Sequence, residues 1–259
     1  MDRHQFIIQT IKEAGALLLD LRAKKFDISD KGLDYRNLVT SVDIEVNDFI
    51  SKRINTEFSG ETVLSEETED GLETSTTYWT LDPIDGTSNF ARDIPHYAIV
   101  IAWVEGGEPV VGAVYNPVTR ELFSFEKGKG AFLNGNKINV SNINTIKDSY
   151  VLLHIGRKEE VREWGVNLQK FFLANAKKNI NLASSALDLC FLAAGRVDVV
   201  IYGTMTTRDI AVAMGLVREA GGEVYDVNGK PANLSAESQK VYGVANKALF
   251  DELKNTGLI

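Results

Sequence analysis

At the start of the chain, apolar residues recur at three- and four-residue steps: Ile7, Ile11, Ala14, Leu18 and Leu21. That spacing predicts one buried face of a helix over about residues 2–24. Val42, Val46, Ile50, Ile54 and Phe58 mark a second helix. Residues 27–37 between them are polar, carry Lys31-Gly32 and show no period, which reads as a mobile loop. From Thr62 to Ser124 the helical period disappears. Thr62-Val63-Leu64, Tyr78 to Leu81, Tyr97 to Val104, Val110 to Tyr115 and Leu122 to Phe125 read as strands, with Glu105-Gly106-Gly107-Glu108 as a hairpin turn and Asn134-Gly135 as another turn. Helices on a largely antiparallel sheet follow from this pattern.

The second half alternates. Strands near Ser149 to Leu153, Asn179 to Leu182 and Val197 to Ile201 each precede a helical stretch, at Glu159 to Ala176, Ser185 to Ala194 and Thr207 to Ala220. Val224-Tyr225 and Val241 to Val244 add strands, and Lys247 to Lys254 adds a helix. Such alternation predicts an α/β layer. We expect two subdomains, 1–145 and 146–259, joined at a seam without a linker of biased composition.

Composition narrows the classes. The chain has 259 residues, 44% hydrophobic and 25% charged, as expected of an ordered globular protein. A net charge of −8 argues against a general nucleic-acid binder. Cys190 is the only cysteine, so neither a disulfide nor a cysteine-based zinc site forms within one chain. Met1-Asp2-Arg3-His4 lacks the apolar core of a signal peptide, and no apolar run has the length of a membrane span. The expectation is a cytoplasmic protein with no membrane contact.

The informative segment is Leu81-Asp82-Pro83-Ile84-Asp85-Gly86-Thr87-Ser88-Asn89-Phe90. Asp85-Gly86 alone reads as a turn. The full string is different, because a buried apolar strand feeding two acids has no structural need for both. Carboxylates converging at a strand end suit magnesium, which takes oxygen ligands. The N–H groups of the turn at Gly86 and Thr87 are placed to receive a phosphate oxygen. Glu66 follows another short apolar run, where a solvated acidic loop is the competing reading beside Glu67, Glu69, Asp70 and Glu73. Asp43 in Thr40-x-x-Asp43 and Asp209 in Thr206-x-x-Asp209 also fit capping boxes at helix starts.

Taken together, Asn37-Leu38-Val39-Thr40-Ser41-Val42-Asp43, Ser65-Glu66-Glu67, Asp82-Pro83-Ile84-Asp85-Gly86-Thr87 and Arg208-Asp209-Ile210-Ala211, followed by Glu219-Ala220-Gly221-Gly222, resemble the inositol monophosphatase family over essentially the whole chain. The family belongs to the lithium-sensitive magnesium phosphatases, which include fructose-1,6-bisphosphatases. The resemblance implies a layered αβαβα sandwich of mixed α+β and α/β character, often dimeric, acting on a small phosphorylated metabolite. It implies a first metal held by Glu66, Asp82 and the Ile84 carbonyl, and a second held by Asp82, Asp85 and Asp209. Glu66 and waters would support a weaker third, giving two to three Mg2+ per site, with Li+ as inhibitor. It implies that Asp43 and Thr87 activate the attacking water, and that Gly86 and Thr87 bind phosphate. Ser185 and Asp209 would border the alcohol part of the substrate.

Two positions depart from the pattern. Tyr202 stands where inositol-selective members carry an acid, and Arg208 where the family usually has Trp. As structural residues, Tyr202 packs at a strand end and Arg208 is a solvated helix start. As functional residues, Arg208 or a nearby lysine meets a second anionic group, as on a sugar bisphosphate or the 2′-phosphate of NADP. A non-catalytic, RNA-related or regulatory member of the family is a third reading, against which the complete acid set and the negative charge argue. Cys190 reads as core, and His96 as structural.

Overall fold

The computed structural model describes residues 1–24, 26–30, 38–65, 76–156, 159–234 and 238–259, apart from the side chains of residues 30, 38, 39, 160, 207–209 and 238. The first helix, α1 (Arg3–Arg22), buries Ile7, Ile11, Ala14 and Leu18, the stripe its periodicity predicted. Ile28–Asp30 (β1) and Leu38–Thr40 (β2) pair antiparallel, so the start of the expected loop is a strand; residues 31–37 lie outside the described residues. Helix α2 (Ser41–Glu57) opens on a capping box: Asp43 N–H donates to the Thr40 hydroxyl, and Thr40 N–H donates to the Asp43 carboxylate.

A seven-stranded sheet follows, with strand order β3-β4-β5-β6-β7-β8-β9. Its strands are β3 (Val63–Ser65), β4 (Tyr78–Asp85), β5 (Ala98–Glu105), β6 (Glu108–Asn116), β7 (Glu121–Glu126), β8 (Gly130–Leu133) and β9 (Asn136–Ile138). All neighbours are antiparallel except β3 and β4. The short helix α3 (Thr87–Ala91) interrupts the chain between β4 and β5. Strand β4 is buried along its whole length, which explains why its sequence does not alternate.

The second sheet has five strands in the order β11-β10-β12-β14-β13. Strand β10 (Tyr150–His154) is parallel to both β11 (Lys178–Ile180) and β12 (Val199–Thr206). The last strands, β13 (Glu223–Tyr225) and β14 (Ser238–Val244), add antiparallel. Its helices are α4 (Glu159–Asn175), α5 (Ser185–Ala193), α6 (Thr207–Glu219) and α7 (Lys247–Asn255).

Helices α1 and α2 cover the outer face of the first sheet, α5 and α6 lie between the sheets, and α4 and α7 cover the second. The result is the expected αβαβα sandwich. One apolar cluster joins Ala98, Val100, Phe123 and Phe125 of the first sheet to Val151, Val199, Ile210 and Met214 of the second half. A second cluster packs α1 and α2 on the other face of the first sheet, around Phe6, Ile50, Trp79 and Ile99. Cys190 is fully buried in the shared cluster, and burial pushes its thiol well up from the ordinary value. No helix among the described residues is long and apolar enough to cross a membrane.

Candidate active site

Strand β4 carries its two acids at its own carboxyl end, where its register with β5 shifts between Asp82 and Asp85. Both side chains are buried, at 4% and 6% exposure, a costly place for a carboxylate without compensating charge or hydrogen bonds. Asp82 accepts the Ile84 N–H at 2.9 Å, which closes the turn on itself. Gly86 follows with φ +89°, and a Cβ there would come within 3.0 Å of the His96 carbonyl. Glycine is therefore required for both the left-handed backbone and the close approach. Thr87 opens α3, and its hydroxyl donates to the Ile84 carbonyl at 3.0 Å, with Asp43 3.5 Å away.

Asp43 is buried at the first turn of α2, one oxygen held by Thr40 and the other facing Thr87. The capping and the site-facing roles are thus both present in one carboxylate.

Asp85 reaches across to the other half. Its Oδ1 accepts the Ser185 N–H at 3.1 Å and the Ser185 hydroxyl at 2.9 Å. Its Oδ2 accepts the Ala186 N–H at 3.1 Å and the Ser184 hydroxyl. The carboxylate therefore serves the unsatisfied donors at the start of α5. Burial pushes the Asp85 carboxyl up from its ordinary value, and the charge of Asp188 adds a smaller push. The hydrogen bonds from Ser184, Ser185 and Ala186 oppose both.

Asp188 lies one turn further along α5 and is fully buried. It accepts the Tyr202 hydroxyl at 2.6 Å, and His96 Nε2 lies 3.1 Å from its other oxygen. His96 thus links the first half to this network. Ser184 and Asp188 escaped the sequence reading. A lone acid in the apolar run Ala186-Leu187-Asp188-Leu189, one turn after Ser185, is the signal that marks it.

The structure brings Asp43, Asp82, Ile84, Asp85, Gly86, Thr87 and Ser185 to the junction of β4, α2 and α5, and joins Tyr202 to it through Asp188. Glu66 lies outside the described residues, as do the side chains of Arg208 and Asp209. Asp209 itself is in the first turn of α6. Among the described residues no group of three or more His, Cys, Asp or Glu side chains is gathered to hold a metal ion. The donors present are carboxylate, carbonyl and hydroxyl oxygens, a set that fits a hard divalent cation and not a thiophilic one.

The model of the inositol monophosphatase family matches residues 2–256. A fructose-1,6-bisphosphatase/inositol-1-monophosphatase from Thermotoga maritima is 31% identical over 254 residues, covering 98% of this chain and 94% of that protein. The Nus factor SuhB of Pasteurella multocida is 30% identical over 232 residues, covering 88% of this chain and 86% of its own. Among solved structures, the extragenic suppressor protein suhB from Bartonella henselae superimposes with a TM-score of 0.86 at 28% identity, covering 96% and 95% of the two chains. With the family match spanning nearly the whole sequence, and the same layered fold in its relatives, the chain belongs to the inositol monophosphatase family, enzymes that hydrolyse phosphate monoesters.

Proposed function

We propose that the chain hydrolyses a small phosphate monoester of the inositol 1-phosphate type with bound Mg2+. Glu66, Asp82, the Ile84 carbonyl, Asp85 and Asp209 would hold two ions, and a third more weakly. The observation that carries this reading is the burial of Asp43, Asp82 and Asp85 around one turn, beside the Thr87 hydroxyl and a glycine whose left-handed backbone makes the turn. Bound there, divalent ions supply charge stabilisation to the incoming and leaving oxygens of an in-line displacement.

The chain's own residues do the rest. Thr87 Oγ1 takes a proton from the attacking water as it passes its own to Asp43, whose position Thr40 fixes. The N–H groups of Gly86 and Thr87 receive phosphate oxygens. Ser185, Tyr202, Arg208 and Asp209 border the alcohol part. A cytoplasmic homodimer accompanies this reading, with 1–145 and 146–259 as subdomains of one cooperative unit.

The test is phosphate release from inositol 1-phosphate and glycerol 2-phosphate, with and without Mg2+, and with Li+ added. Magnesium-dependent, lithium-inhibited release supports the proposal; metal-independent release or none contradicts it. A second reading directs the same catalyst to a sugar bisphosphate or the 2′-phosphate of NADP. It is favoured by Tyr202, whose hydroxyl is bonded to Asp188, and by the double name of the Thermotoga relative. Higher kcat/KM on fructose 1,6-bisphosphate or NADP than on inositol 1-phosphate would select it. The names of the SuhB relatives keep a regulatory role in view, and absence of turnover on every substrate would favour it.

A further inference from the structure

On the phosphatase reading above, the alcohol part of the substrate would extend from the Asp85 turn towards Tyr202, which Asp188 of α5 joins to it. Strands β10 and β12 are parallel neighbours, and His154, the last residue of β10, stands opposite Tyr202. From its carboxyl end, β10 continues through α4 to β11 on one side of the sheet, whereas its neighbour β12 continues through α6 to β13 on the other. The two connections therefore part beyond the carboxyl ends of β10 and β12, the kind of switch point at which open α/β sheets bind ligands.

At that point the imidazole of His154 stacks on the Tyr202 ring, with centroids 5.1 Å apart and planes 21° from parallel. Tyr202 is buried, and its hydroxyl is committed to Asp188, one helical turn from the serine that bonds Asp85. Asp188 is in turn fixed by His96. His154 is partly exposed and covers one face of the fixed phenol ring. The backbone there has little freedom, since a Cβ on Gly203 would meet the Ile155 carbonyl at 2.2 Å. The stack presents a ring face where a carboxylate at position 202 would present hydroxyl acceptors.

We propose that His154 is a specificity-determining platform, positioned by Tyr202 and Asp188, that takes phosphate monoesters whose alcohol part carries a planar π ring. Resting on the phosphatase reading above, this names the substrate class of the same site. A flat ring stacks on an imidazole face, whereas a puckered polyol gains from carboxylate partners that this wall does not offer.

The magnesium-loaded enzyme is assayed on benzyl phosphate and cyclohexylmethyl phosphate, whose alcohols match in size and leaving ability but differ in planarity. We expect the planar ester to be favoured roughly five- to hundredfold in kcat/KM, carried by KM. His154→Leu should collapse that ratio and His154→Phe should restore it. Tyr202→Phe, which keeps the ring but releases Asp188, should lower it part of the way. Adenosine 2′-phosphate distinguishes the sources of the ring: a kcat/KM above that of benzyl phosphate assigns a nucleobase, and one below it an aryl group. Equal kcat/KM for the two esters in the wild type overturns the proposal, as does an unchanged ratio in His154→Leu. Release from glycerol 2-phosphate without planar preference removes this inference alone. No release from any of these esters removes the phosphatase reading with it.

Discussion

Ser185 gives both its hydroxyl and its main-chain N–H to a single oxygen of Asp85, at 2.9 and 3.1 Å, across one hundred residues of chain. An amide at position 85 would keep one acceptor oxygen and turn N–H hydrogens towards the remaining donors. We expect Asp85→Asn to reduce magnesium-stimulated phosphate release by about 10²–10³-fold or more. The stability cost should be about 1–3 kcal/mol, leaving the chain folded. Phosphate assay and urea midpoint together check this, and turnover near that of the wild type would remove Asp85 from the proposed site.

Thr87 has one hydroxyl proton and two acceptors within reach, Ile84 O and Asp43. Thr87→Ser keeps that proton and should retain most of kcat. Thr87→Val is nearly isosteric without it and should lose about 10²–10⁴-fold, the usual contribution of general acid–base transfer. Similar kcat in both variants would exclude Thr87 from proton transfer.

Magnesium should stabilise the folded chain. At a hundred times the dissociation constant, binding adds about 2.7 kcal/mol per independent site. For a chain of this size that corresponds to a rise in Tm of roughly 5–10 °C. Asp82→Asn should abolish the rise. Calorimetric scans with magnesium and with chelator measure it without any substrate.

Glu219 lies far from the site, and its carboxylate accepts the N–H of Gly128 and of Gly130, both at 2.8 Å. It ties the β7–β8 turn to the end of α6. Glu219→Gln leaves one acceptor oxygen for two donors, and we expect a loss of about 1–2 kcal/mol. Denaturant unfolding should show a lower midpoint at unchanged slope, with kcat/KM unaffected.

Burial pushes the Tyr242 phenol from 10.0 up to about 12, with a smaller push from Asp226. Above pH 10 the unfolded chain loses this proton while the folded chain keeps it. Stability therefore falls as pH rises from about 10 to about 12, then levels as the folded state ionises too. The hydroxyl is buried without a hydrogen-bond partner among the described residues. Tyr242→Phe should thus be neutral or stabilising at pH 7 and should flatten the alkaline decline. An unchanged dependence of the urea midpoint on pH between 9 and 12 would rule this out.

The helices were legible wherever one face is apolar. The stripe from Ile7 to Leu18 defines α1, and Val42 to Ile54 defines α2. Short strands were harder. Neither β1 nor β9 carries an apolar run, since their pairing rests on backbone hydrogen bonds with a neighbour distant or adjacent in sequence. The motif around Asp82 and Asp85 was legible because acids at the end of a buried strand are expensive. Asp188, Ser184 and His96 were not, because each gains its role only when α5 docks against β4 and β12. The capping reading of Asp43 proved correct without excluding contact with Thr87, as its two oxygens face different partners.

The tie between Asp85 and the start of α5 also has a temporal meaning. The ribosome makes Asp43, Asp82 and Asp85 well before it makes Ser184, Ser185 and Ala186, which bond Asp85. A nascent chain stalled before α5 would expose a cluster of acids with neither serine hydroxyls nor helix N–H groups to receive it. Truncated products should therefore be inert and quickly degraded, and activity should emerge only once nearly the whole polypeptide has been released.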